Sequence, residues 1–198
     1  MIELKNVSKH FGGIKAVENV SLEIREGSIT GLIGPNGAGK TTLFNIIAGF
    51  YTPDFGDIKF EGNNVNGLRS DELFQRGILR TFQIAHEFEN LTVRENLMMV
   101  PDGQIGESIL HTWISRNRIK IQEKENHTKA TNVMKFLNLD HLESEKAGSL
   151  SGGQKKLLEL GRTMMVDARL VLLDEVGAGV NKTLLKKIGE SIKKLNKE

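Results

Sequence analysis

The sequence predicts an α/β fold with a helical insertion, on three observations. A glycine-rich stretch from Gly34 to Thr42 stands between apolar residues on either side. An apolar run from Leu170 to Leu173 ends in two adjacent carboxylates, Asp174 and Glu175. Between Pro101 and Gly148 strand signals vanish, and Ala130, Val133, Met134 and Leu137 fall at helical spacing.

The chain has 198 residues, the size of one domain with room for an inserted subdomain, and 38% hydrophobic with 26% charged residues is ordinary globular composition. A net charge of +2 is too weak to argue for nucleic acid as a partner. With no cysteine there is no disulfide framework and no thiolate zinc site. The first residues, MIELKNVSKHF, carry charges where a signal peptide needs an apolar run, and no apolar segment approaches membrane-spanning length.

Along the chain, Ile2 and Leu4, then Val20, Leu22 and Ile24, alternate with polar residues and predict two half-buried strands around a turn at His10 to Gly13. Phe11 in that turn reads equally as a packed corner aromatic or as a platform for a nucleotide base. Ile29, Leu32 and Ile33 predict a strand entering the glycine loop, and Leu43, Ile46, Ile47 and Phe50 a helix leaving it. Ile58 and Phe60 mark a short strand, Ser70 caps a brief helix, and Ile78 to Phe82 is mostly apolar and runs into Gln83. Thr92 and Glu95 make a capping box for a helix over Val93 to Met99. Ser151 and Gln154 make a second, with Gly152 and Gly153 baring the backbone of the following helix. Leu170 to Leu173 suits a fully buried parallel strand, and Asn181 caps a last helix carrying Leu185, Ile188, Ile192 and Leu195 opposite a lysine-rich face.

The chemistry is concentrated in the glycine loop. Gly34, Pro35, Asn36, Gly37, Ala38, Gly39, Lys40 and Thr41 fit the spacing Gly, four residues, Gly, Lys, Ser or Thr, with Thr42 one more donor. Glycine permits backbone dihedrals and close approach that a side chain would block, so amide N–H groups can turn around phosphate oxygens at the positive end of a helix. Lys40 can then reach the outer phosphates, and the Thr41 hydroxyl can ligate magnesium. Asp174 can serve the same magnesium shell while Glu175, pointing elsewhere, faces an attacking water. Ser151 and its two glycines read either as a plain N-cap or as a second phosphate site.

In order, GPNGAGKT, Gln83, LSGGQ and LVLLDE resemble the ATP-binding subunit of ABC transporters. GLIGPNGAGKTTLFNIIAGF, RTFQ at Arg80 to Gln83 and LTVRENLMM at Leu91 to Met99 are similar to the subunit of branched-chain amino acid importers. That resemblance implies an ABC-type phosphate-loop ATPase: a mostly parallel core sheet, an N-terminal antiparallel β subdomain and a helical insertion. It places the β subdomain and Walker A part in residues 1–100, the helical subdomain in 101–149, and the signature helix, Walker B strand and last helix in 150–198. It makes ATP and Mg2+ the ligands, Phe11 the adenine-stacking aromatic and Gly34 to Thr42 the Walker A loop. Gln83 becomes the sensor of magnesium and attacking water. Ser151, Gly152, Gly153 and Gln154 become the signature that meets a nucleotide held by a second ATP-binding subunit, the same chain or a related one, head to tail. Asp174 becomes the Walker B ligand, Glu175 the catalytic base, and Ala178 to Asn181 the loop linking two sites. Two membrane permease subunits and, indirectly, a substrate-binding protein are the implied partners, at the cytoplasmic face of the membrane.

Val176 and Lys182 stand where the family often has Pro, which implies a looser turn. The family also continues into a strand ending in a switch histidine, and no His follows His141 here, so the expectation is a C-terminally truncated subunit that turns over poorly by itself. Other readings are a regulatory nucleotide-binding module, an ATPase of urea, amide or lipopolysaccharide transport, and a chromosome or repair ATPase. The last would need long heptads or zinc cysteines that the sequence lacks.

Overall fold

The computed structural model describes residues 1–81, 87–107, 116–174, 177 and 182–196. Two compact units emerge: residues 1–80 with 169–174 and 192–198, and residues 81–168 with 175–191. Gln83, Glu175 and Asn181, with the rest of Ala178 to Asn181, lie outside the described residues.

The first unit is built on an antiparallel sheet. Strand β1 (Ile2–Phe11) lies between β2 (Ile14–Ile24) and β3 (Phe55–Phe60), and β4 (Asn63–Asn64) pairs with β3. Ile2 faces Ile24 on one side and Phe60 on the other, and Leu4 faces Leu22 and Ile58. Period-two alternation therefore puts Ile2, Leu4, Ile58 and Phe60 on one buried face. Against it pack Leu43, Ile46 and Ile47 of helix α1 (Lys40–Ile47) and Leu73 of helix α2 (Ser70–Gln75). Ser70 is the first residue of α2 rather than its cap; Arg69 stands at the cap and its backbone N–H donates to Glu72 Oε2 over 2.8 Å.

A parallel pair completes this unit: β5 (Ile78–Arg80) and β6 (Leu170–Leu172), with Arg80 opposite Leu172. Two expectations change here. Ile29 to Ile33 form no strand, and Ile33 is 94% exposed; among the described residues no strand lies beside them, and a lone extended segment has nothing to bond to. Val171 is exposed at 37% rather than buried, since β6 pairs with β5 alone among the described strands.

The second unit is helical. Helices α3 (Val93–Met98), α4 (Arg116–Leu137) and α5 (Gly152–Met164) bury Val93, Leu97, Ala130, Val133, Met134, Leu137, Leu157 and Leu158. They pack tightly at Gly161, where an added Cβ would stand 2.9 Å from Leu137 Cδ1 and 3.1 Å from Leu97 Cδ2. The fully buried Asn96 ties the preceding turn to α3: its Oδ1 accepts from Phe88 N–H at 2.9 Å, and its Nδ2 donates to the carbonyls of Phe88 and Thr92. Helix α6 (Lys182–Leu195), which falls to this unit up to Ser191 and to the first from Ile192, buries Ile188 and leaves Leu185 exposed. Among the described residues no helix is long and apolar enough to cross a membrane.

Candidate functional site: a phosphate loop and an acidic strand end

The loop from Gly34 to Ala38 is exposed and leads directly into α1. Gly37 and Gly39 both take left-handed conformations, with φ of 82° and 78°, and Gly39 is the N-cap of α1. This turn swings the chain so that the first turn of α1 opens toward the loop. Gly39 also touches β2, since a Cβ there would lie 2.0 Å from the Ala16 carbonyl oxygen. Lys40 folds back over the loop, its Nζ donating to Gly34 O at 2.9 Å and Pro35 O at 2.7 Å. These bonds hold the ammonium against the start of the loop. Thr41 is exposed beside it, and Thr42 is half-buried.

Asp174 follows β6 and is buried, in the same unit as the loop. Arg80, at the end of β5, donates from Nη2 to Asp174 Oδ2 over 3.1 Å and from Nη1 to Asn45 Oδ1 on α1. The sequence assigns Arg80 no role, because both of its partners lie far off along the chain. A hydroxyl on Thr41 and a carboxylate on Asp174 are hard oxygen donors, the type that suits magnesium.

Phe11 ends β1 and is 42% exposed, its ring held edge-on by Tyr51, centroids 5.2 Å apart at 73°. The end of β1 is clamped by Asp54, which accepts from Lys9 Nζ at 2.8 Å and from His10 N–H at 2.6 Å. Those two bonds, the lysine's first, hold the Asp54 carboxyl below its ordinary value.

In the second unit, Ser151 and Gln154 form the expected reciprocal cap of α5: Gln154 N–H donates to Ser151 Oγ, and Ser151 N–H donates to Gln154 Oε1. Ser151 and Gly152 are exposed, Gly153 is half-buried, and a Cβ at Gly152 would meet nothing within 4 Å. Just beyond, Lys155 pairs with Glu87, which raises the lysine's affinity for its proton.

A left-handed glycine turn feeding a helix, a lysine folded over it and an acidic side chain closing a parallel strand in the same unit define a phosphate-loop nucleotide-binding protein. The chain belongs to the ABC transporter family, whose model matches residues 17–178. It is 44% identical to the probable branched-chain amino acid transport ATP-binding protein LivG of Archaeoglobus fulgidus, covering 100% of this chain and 76% of that protein. With the high-affinity branched-chain amino acid transport ATP-binding protein BraF of Pseudomonas aeruginosa the identity is 35%, over 91% of this chain and 71% of the other. A nucleotide-free ATP-binding cassette from an ABC transporter superposes with a TM-score of 0.81 at 39% identity, covering 98% of this chain and 76% of that one. A dimeric cassette in a post-hydrolysis state with ADP and Pi superposes with a TM-score of 0.78 at 28% identity, covering 99% and 83%. The protein is therefore a nucleotide-binding, ATP-hydrolysing cassette of the ABC class.

Proposed function

We propose that this chain energises an importer of branched-chain amino acids as its ATP-binding and hydrolysing subunit, at the cytoplasmic face of a membrane with two permease subunits. The observation that carries the proposal is the Gly34 to Lys40 loop, with left-handed Gly37 and Gly39 at the start of α1, in one unit with Asp174. The relatives named for branched-chain amino acid transport supply the substrate class.

In this reading Phe11 stacks on adenine, and the Gly34 to Thr42 backbone, with Lys40, grips the phosphates. To do so, the Lys40 ammonium exchanges its bonds to Gly34 O and Pro35 O for phosphate oxygens. Magnesium, held by Thr41, Gln83 and Asp174, would neutralise charge on the outer phosphates. Glu175 takes the proton of the attacking water, and Gln83 orients that water.

Ser151, Gly152, Gly153 and Gln154 of a second copy close on the terminal phosphate. Support comes from Gly152, which no packing contact of its own unit requires to be glycine, and from a dimeric relative solved with ADP and Pi. Phosphates gripped from both sides lose water, so each contact strengthens. ATP then holds the dimer shut, and hydrolysis releases it.

The test is the mass in solution of the Glu175→Gln chain with and without ATP. Doubling with ATP, abolished by Ser151→Arg while each copy still binds ATP, is the expected result. An ATP-bound chain that stays single at every concentration would refute the head-to-tail arrangement. ATP-dependent uptake of leucine against urea, in vesicles holding the assembled transporter, tests the substrate class.

A further inference from the structure

Arg80 occupies an unusual place. Its side chain is 7% exposed, and its guanidinium serves two acceptors, one on α1, the helix that follows the phosphate loop, and one just past β6. Nη2 donates to Asp174 Oδ2 over 3.1 Å, and Nη1 to Asn45 Oδ1. The aromatic face of Phe50, just past the end of α1, lies 5.8 Å from the guanidinium carbon and covers it. Parallel pairing fixes the root of the side chain, because Arg80 stands opposite Leu172, two residues before Asp174.

Asn45 follows Thr41 by four residues, so the two share one face of α1. Arg80 thus bridges the helix face that carries one predicted magnesium ligand, Thr41, and the carboxylate of another, Asp174. A planar fork can hold two acceptors at a fixed separation, which a lysine ammonium on a flexible stem does not. Burial matters too: a desolvated, hydrogen-bonded ion pair is far less free to reorient than an exposed one.

We infer that Arg80 is a positioning residue for the metal site, fixing the Asp174 carboxylate relative to the Thr41 face of α1 so that both can meet the shell of one magnesium ion. It acts through Asp174 and Asn45. This rests on the reading of Asp174 as a magnesium ligand, and the two ideas can fail separately.

The readout is the ratio of ATP affinity with Mg2+ to ATP affinity in excess EDTA, measured by calorimetry on the whole chain. A residue that only supports the fold would lower both affinities together and leave the ratio alone. Asp174→Asn tests the underlying reading; if it leaves the ratio unchanged, that reading fails. With Asp174→Asn effective, Arg80→Met is expected to cut the ratio about tenfold or more, Asn45→Ala to cut it less, and Arg80→Lys to restore part of the loss. Should Arg80→Met not fold, Arg80→Lys and Asn45→Ala decide in the same way. A wild-type ratio in the Arg80 and Asn45 variants would overturn the inference. So would a raised ratio, which would make Arg80 a competitor of the metal.

Discussion

Gly39 and Ala16 meet so closely that a single methyl group does not fit between them: a Cβ on Gly39 would stand 2.0 Å from the Ala16 carbonyl oxygen. The phosphate loop is thereby seated on β2, and the opening of α1 takes its direction from that contact.

Gly39→Ala is therefore expected to break the site. An L-residue at φ 78° costs about 1–2 kcal/mol by itself, and the backbone oxygen it meets cannot turn aside as a side chain would. Equilibrium binding should show ATP affinity lost, with a lowered unfolding midpoint. A Gly39→Ala chain that binds ATP like the parent would contradict the described seating.

Asn96 makes a prediction about stability alone. It is fully buried, and its amide satisfies Phe88 N–H and the carbonyls of Phe88 and Thr92. Asn96→Leu keeps much of the volume but takes the acceptor from Phe88 N–H, while the Phe88 and Thr92 carbonyls keep the backbone N–H groups of Leu91 and Asn96, a loss of about 1–3 kcal/mol. Urea unfolding of the helical unit measures it.

Glu95 gives the acid limb of the stability curve a definite sign. The backbone N–H and the hydroxyl of Thr92 donate to its carboxylate and hold it below its ordinary value of 4.5. Below 4.5 the unfolded chain binds the proton first, so this contribution is complete above about pH 4.5 and disappears as pH falls through the folded value. Glu95→Gln should flatten that part of the curve. Thr92→Ala should flatten it as well and cost about 1 kcal/mol near neutrality through the lost cap. Thermal melts from pH 3 to 7 would show both, and an unaltered acid limb would count against the assignment.

What was legible in the sequence was chemistry written within a few residues. The Thr92 to Glu95 and Ser151 to Gln154 caps formed as their spacing implied, because donor and acceptor are one helical turn apart. The turn of the phosphate loop was legible for the same reason, since its dihedrals are set by its own glycines. Ala130, Val133, Met134 and Leu137 were placed correctly as one buried stripe. The strand expected at Ile29 to Ile33 did not form, because a strand is made by its neighbours and not by its own apolar residues. Arg80 escaped notice for a similar reason: its partners Asn45 and Asp174 lie in other elements, and the sheet alone brings them together.

Calorimetric titration of the chain with Mg·ATP, beside Lys40→Ala, tests the phosphate-loop reading most directly. Lys40 offers one charged donor now bonded to Gly34 O and Pro35 O, and its transfer to phosphate predicts a loss of about ten- to a hundredfold in affinity on truncation. Equal affinity in the two proteins would mean that the nucleotide is held elsewhere.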